Sequence, residues 1–229
     1  MAKVTVLIPC AGQGKRMGGT VSKPYLEVNG RPLLSYTLEI FQTHPLIEEI
    51  IVIVQPGDIA YCREEIVDRY GYNKVGAVIA GGKERQDSVS RGLLLLGSAV
   101  EWVAVHDGVR PLVSGATITR VLRAAFEKGA AVVGVPVKDT IKIVGADMAV
   151  RSTPDRRTVW QVQTPQVFRR ELIMRAYEKA EAEGWRGTDD SSLVERLGEK
   201  VFMVEGEYSN IKVTTPDDLV FIKEMMKVK

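Results

Sequence analysis

The sequence predicts an α/β protein built on a doubly wound, mostly parallel sheet with a protruding β-hairpin arm. Short β-branched runs alternate with amphipathic helical patterns over the first two thirds of the chain, which is the βαβ signature. The runs are apolar throughout, so both faces of the sheet must be covered. At 229 residues, 45% hydrophobic and 26% charged, the chain has the length and composition of one soluble globular domain, here taken as residues 1–229.

The strand candidates are KVTVLI (3–8), EEIIVIV (48–54), KVGAVIA (74–80), EWVAVH (101–106) and AAVVGVPV (130–137). Helices are predicted from Pro32, whose fixed φ suits a first turn, and over Asp58–Tyr70 and Gln86–Leu96. Another spans Ser114–Lys128, where Ile118, Val121, Leu122, Ala125 and Phe126 share one face and Gly129 ends the helix. Past Pro136 the alternation breaks. Residues 138–157, KDTIKIVGADMAVRSTPDRR, read as two short strands around a Gly-Ala-Asp turn. An isolated hairpin is marginal in water, so this arm needs its own sheet or a second copy of the chain. Helices at Arg169–Ala182 and Asp190–Leu197, a strand at KVFMV (200–204), the segment SNIKVT (209–214) and a helix from Pro216 complete the chain.

The bulk numbers exclude several classes. A net charge of +2 and the lack of a basic run interleaved with aromatics argue against a nucleic-acid binder. Cys10 and Cys62 are the only cysteines, which gives neither a disulfide framework nor metal-ligand spacing and points to a reducing cytoplasm. No apolar stretch approaches the roughly 18 residues that span a bilayer, so no membrane role is expected.

The stretch PCAGQGKRMG (9–18) follows the first strand and carries three glycines beside Lys15 and Arg16. Backbone N–H groups in such a loop can approach phosphate oxygens without Cβ interference. The spacing rejects two common phosphate binders. A nucleoside-triphosphatase loop needs glycine at 17, where Met17 stands. A dinucleotide fingerprint needs a third glycine at the same place and an acidic residue after the second strand, where Gln55 stands. Farther on, Asp107 and Arg110 in VHDGVRP lie just past a strand end, where ligands gather in open α/β sheets. A carboxylate there can hold Mg²⁺, directly or through water, and Arg110 can meet a phosphate. Val109 removes a D-x-D metal motif. Of the two histidines, His44 is expected at the surface and His106 as a packing or orienting group.

AGQGKRMG followed by SKP (22–24) and NGRPLL (29–34) resembles the signature of nucleotidyltransferases that join a nucleoside triphosphate to a phosphorylated sugar or polyol. The resemblance implies a Rossmann-like fold whose glycine loop wraps the triphosphate while Arg16 and Lys23 neutralise it. The strand-turn-helix AGGKERQDSVSRGL (80–93) resembles the base pocket of 2-C-methyl-D-erythritol 4-phosphate cytidylyltransferases. VKDTIK with Thr140, DRRTVWQVQTPQVF with Arg156 and Thr164, GTDDSSL with Thr188, and NIKVTTPDDL with Lys212 match the same family in order.

That resemblance implies an Mg²⁺-dependent cytoplasmic homodimer that makes CDP-methylerythritol and pyrophosphate from CTP and 2-C-methyl-D-erythritol 4-phosphate. Arg16, Lys23, Arg156 and Lys212 would be catalytic. Pro9, Ala11, Gly12, Gly14, Gly81, Gly82, Arg85 and Ser88 would bind the nucleotide, with Gly81, Gly82 and Ser88 at the base. Asp107, Arg110, Thr140, Thr164 and Thr188 would bind the acceptor, Asp107 also the metal. The arm would grip a second subunit. Arg157 follows Arg156 where a neutral residue is expected, which leaves either as the one that reaches substrate, and Gly108 and Val109 replace alanines common in the family. A cytidylyltransferase for another polyol phosphate, such as ribitol 5-phosphate, and a noncatalytic nucleotide-binding protein are the alternative readings.

Overall fold

The computed structural model describes residues 3–12 and 22–227. Strand β1 (Val4–Pro9) lies near the centre of a seven-stranded sheet with β4 (Ile47–Val54), β5 (Val75–Ala80), β6 (Trp102–Val105), β7 (Ala130–Pro136), β10 (Trp160–Arg169) and β11 (Phe202–Glu205), in the order β11-β7-β10-β6-β1-β4-β5. Only β10 runs antiparallel to its neighbours, β6 and β7. The other adjacent pairs are parallel, so the carboxyl ends of six strands open on one edge.

Alternation along the strands builds two cores. Val4, Val6 and Ile8 of β1, with Ile50, Val52 and Val54 of β4, face α1 (Leu33–Thr43) and α4 (Gly115–Lys128). Leu7, Ile51 and Ile53 face the other way, toward α3 (Arg85–Leu93), α5 (Arg170–Ala182) and α6 (Asp190–Arg196). Phe168 is fully buried in this second core, and truncating it to alanine would cost about 3–5 kcal/mol by lost transfer energy and cavity formation. Helix α4 keeps its predicted span: Ser114 Oγ accepts from the Thr117 N–H, and Gly129, at φ 92°, turns its N–H back to the Ala125 carbonyl. A third cluster seats α7 (Pro216–Lys227) over Val28, Leu33, Leu112 and Val213.

Three sequence expectations change. The helix expected from Pro32 starts at Leu33, because Arg31–Pro32 (β3) pairs with Glu27–Val28 (β2) around Asn29 and Gly30, both at positive φ. The helix expected over Asp58–Tyr70 contains α2 (Ile59–Tyr61) and widens into a π-helix at Cys62–Asp68. His44 is buried, 5% exposed, because its turn packs on α4: Nδ1 accepts from the Leu46 N–H, and Nε2 donates to Thr119 Oγ1 at 3.0 Å.

The arm is present as the antiparallel pair β8 (Ile143–Val144) and β9 (Val150–Ser152), closed by Arg151 on Asp147 at 2.8 Å. It presents Ile143, Val144, Met148 and Val150 to solvent.

Candidate active site

The carboxyl end of β1 meets that of β5. The Cys10 N–H donates to the Ile53 carbonyl at 2.6 Å, and the Gly81 N–H donates to the Val54 carbonyl at 2.7 Å. Gly81 lies so close to Ala11 that a Cβ on it would sit 2.3 Å from the Ala11 Cβ. Gly82 is as tight against Asp87. Gln55 Nε2 donates to the Ala11 carbonyl. Pro9, Ala11, Gly12, Gly81 and Gly82 therefore form one continuous rim. Among the described residues, a Cβ on Gly12 would meet nothing within 4 Å.

Ser88, expected at the base, braces the turn. Its Oγ accepts from the Gly82 N–H at 3.0 Å and donates its one hydrogen to the Glu84 carbonyl at 3.1 Å. The Gly81 carbonyl accepts from Arg91 at 2.7 Å. Arg85 also acts inward. Its guanidinium grips Asp190 bidentately at 3.0 and 2.7 Å and reaches Asp107 Oδ1 at 3.3 Å. Burial works against the Arg85 charge, but the Asp190 and Asp107 carboxylates more than offset it and raise its pKa. Tyr177 donates to Asp190 Oδ1 at 2.6 Å.

Asp107 is the hub at the end of β6. Its Oδ2 takes Arg110 Nε at 3.1 Å and Lys212 Nζ at 3.1 Å, while Oδ1 faces Arg85. Burial alone would raise the carboxyl pKa, yet Lys212, Arg85 and Arg110 hold it well below the usual carboxylate range. Counting this group, Arg85, Arg110 and Lys212 against Asp107 and Asp190 leave one net positive charge, suited to an anionic ligand. Arg110 also donates to the Asn210 carbonyl at 2.8 Å, and Asn210 Nδ2 donates to the Thr164 carbonyl at 2.9 Å. Thr164 Oγ1 accepts from the Asp107 N–H at 3.1 Å and lies 3.0 Å from His106 Nδ1. One buried network thus joins the end of β6 and the middle of β10 to the loop that carries Lys212.

The sequence profile of the 2-C-methyl-D-erythritol 4-phosphate cytidylyltransferase (IspD) family matches residues 4–227. The chain belongs to this family. Curated cytidylyltransferases of that name from Syntrophotalea carbinolica and Geotalea uraniireducens are 50% and 48% identical to it, covering 97% and 98% of this chain and 96% and 97% of theirs. Among solved structures, the 4-diphosphocytidyl-2C-methyl-D-erythritol synthase of Anaerococcus prevotii superposes with a TM-score of 0.88 at 36% identity, over 99% of this chain and 96% of that one. The 2-C-methyl-D-erythritol 4-phosphate cytidylyltransferase of Thermus thermophilus superposes with a TM-score of 0.80 at 37% identity, over 99% and 100%.

Within this cytidylyltransferase framework the expected residues divide. Asp107, Arg110, Thr164, Lys212 and Arg85 are brought together, and Lys23 opens a short 3₁₀ turn at Lys23–Tyr25. Thr188 is exposed just ahead of α6. Thr140 and Arg156 are exposed at the base of the arm, where the Arg156 guanidinium meets the Lys138 carbonyl at 3.4 Å. Arg157 is drawn back onto Asp155 at 2.5 Å. Gly14 and Arg16 lie outside the described residues.

Direct metal binding by Asp107 does not fit this arrangement. Three cations crowd its two oxygens, and a dication there would meet all three. Among the described residues no cluster of three or more His, Cys, Asp or Glu offers a metal cage. The residues fit instead an Mg²⁺ carried mainly by phosphate oxygens and water, its usual preference.

The sequence reading missed Asp190 and Asn210. Both stand in quoted motifs, GTDDSSL and NIKVTTPDDL, and both are 1% exposed. A buried polar residue beside candidate ligands was the available signal, and burial cannot be read from a loop motif.

Proposed function

We propose that this chain transfers CMP from CTP to 2-C-methyl-D-erythritol 4-phosphate, and that it does so as a cytoplasmic, Mg²⁺-using homodimer. The observation that carries the reading is the Arg85–Asp107–Arg110–Lys212 cluster at the carboxyl edge of the sheet, beside the Ala11–Gly81 rim, in a chain of this family.

The reaction forms a bond between an acceptor phosphate oxygen and the α-phosphorus of CTP and breaks the bond to the β-phosphate oxygen, so pyrophosphate leaves with the electron pair. A phosphate monoester has its second pKa near 6 and attacks as the dianion, so no general base is required. Arg110 and Lys212 are set to receive an acceptor anion. Arg16 and Lys23 would stabilise charge as it spreads over the triphosphate. Mg²⁺, when bound, supplies charge neutralisation on the triphosphate.

Exposure of Ile143, Val144, Met148 and Val150 supports a second copy packed on the arm. For the location, no helix among the described residues is long and apolar enough to cross a membrane, and Cys10 and Cys62 are buried free thiols.

The test is pyrophosphate release across CTP, UTP, GTP and ATP with methylerythritol phosphate, ribitol 5-phosphate and other polyol phosphates. CTP with methylerythritol phosphate should lead, CTP exceeding UTP by at least about tenfold in kcat/KM. Equal use of UTP, or preference for ribitol 5-phosphate, overturns the assignment.

A further inference from the structure

His106 is fully buried at the end of β6, tilted against the Phe41 ring at 4.9 Å. Its two nitrogens have different partners. Nε2 lies 3.3 Å from the Arg110 carbonyl, which can only accept, so Nε2 carries a hydrogen. Nδ1 lies 3.0 Å from Thr164 Oγ1. Among the described residues the ring hydrogen-bonds no carboxylate: its two polar partners there are a carbonyl and a hydroxyl, both neutral. Burial among them keeps the imidazole neutral. Nδ1 is then bare, and the Thr164 hydroxyl donates to it.

That spends the only hydrogen Thr164 has. Of its two lone pairs, one already accepts the Asp107 N–H at 3.1 Å. What remains is one lone pair and no donor.

We propose that His106 is a positioning residue that makes Thr164 an obligate hydrogen-bond acceptor, so that Thr164 reads a hydroxyl of the polyol acceptor and not its phosphate. A phosphate oxygen in the dianion has no hydrogen to give, while each polyol hydroxyl has one. Phosphate recognition falls to groups that are donors only, Arg110 and Lys212. His106 also ties the Arg110 carbonyl to the same ring, so one buried side chain fixes the spacing between the anion-binding side and the hydroxyl-reading side. This deepens the cytidylyltransferase reading and rests on it for the polyol.

Two measurements test it. Nitrogen-15 NMR of the histidine rings in the full-length wild-type protein at neutral pH should show His106 with bare Nδ1 and protonated Nε2. A protonated Nδ1 would free the Thr164 hydrogen and overturn the proposal, and this readout needs no variant to fold. Kinetics with Thr164→Val should raise the KM for methylerythritol phosphate about tenfold, the scale of one lost polar contact, while leaving the inhibition constant of inorganic phosphate where it was. Thr164→Ser should restore most of the acceptor affinity. His106→Phe should raise the acceptor KM by a similar factor and change kcat far less. Phosphate inhibition weakened in parallel with the acceptor, or an acceptor KM unmoved by Thr164→Val, would overturn the proposal. If wild-type protein does not turn over CTP with that acceptor, the reaction assignment fails, and the tautomer still decides the polarity of Thr164.

Discussion

Lys212 Nζ stands 3.1 Å from Asp107 Oδ2, the oxygen that also accepts from Arg110 Nε at 3.1 Å. Residues 105 apart in sequence are thereby locked, and the loop after β11 is held over the end of β6. Asp107 is buried while Lys212 is 39% exposed, so the anion is the structural member and the lysine is the one a ligand can draw away.

Replacing Asp107 with Asn should leave Arg110 and Lys212 crowded without their shared anion. Removing one partner of a buried pair costs about 3–5 kcal/mol, and the exposure of Lys212 puts the expected loss at the lower end of that range. Urea denaturation reads it directly. Inorganic pyrophosphate should recover part of the loss, because an anion that binds the folded state alone stabilises it. Wild-type stability in the Asn variant would mean that these contacts carry no coupling.

Gly108 packs directly against Cys10: a Cβ on it would lie 2.1 Å from the Cys10 Sγ and 3.1 Å from a methyl of Ile8. The Cys10 thiol occupies the space that an alanine methyl at position 108 would need. Gly108→Ala alone should destabilise by about 1–3 kcal/mol through overpacking. Cys10→Ala in the same chain should remove most of that penalty, and a double-mutant cycle on thermal or urea unfolding should give a coupling energy above about 0.5 kcal/mol. Additive effects would show that the two side chains do not compete for one space.

The strand-helix alternation was legible because β1, β4, β5, β6 and β7 are apolar runs bounded by polar loops. β10 was not. Its sequence, WQVQTPQVFR, contains Pro165, which normally argues against a central strand. The structure tolerates it because the register with β7 shifts between Val162 and Gln166, so the proline falls where no ladder pair is needed. The site divides in the same way. Asp107 and Arg110 announced themselves by lying past a strand end. Arg85 and Ser88 were read as facing a ligand, whereas Asp190 and the Glu84 carbonyl turn them inward; those partners depend on tertiary packing that no local spacing encodes.

Burial holds His106 neutral, with its pKa pushed down to about 3 against an ordinary 6.5. Between those values the unfolded chain binds a proton that the folded chain refuses, so stability rises with pH across that window and falls on acidification. From pH 6.5 to 4.5 the loss attributable to His106 is about 2 kcal/mol. His44, also lowered by burial, adds in the same direction. Asp107 contributes little between pH 6.5 and 4.5, since its depressed pKa withdraws stability progressively from about pH 5 downward, as the unfolded carboxylate takes up its proton. The slope of unfolding free energy against pH should therefore flatten in His106→Phe. An unchanged slope would assign the acid sensitivity elsewhere.

Arg156 stands exposed at the base of an arm whose apolar side chains Ile143, Val144, Met148 and Val150 face solvent. If the arm packs on a second copy, each active site combines the glycine-rich loop of one chain with Arg156 of the other, and dimerisation becomes part of catalysis. Lys23→Ala and Arg156→Ala homodimers should then each fall roughly 10²-fold or more in turnover, the scale of one lost transition-state stabiliser. Mixing the two variants with subunit exchange should restore activity, because a heterodimer holds one site with both lesions and one with neither. At equal mixing about half the dimers are hetero and half of their sites are intact, so recovery should approach roughly a quarter of wild type for a symmetric dimer. Heterodimers present by native mass spectrometry without recovered turnover would place Arg156 in its own chain's site or outside any site, and would leave the arm with a purely structural role.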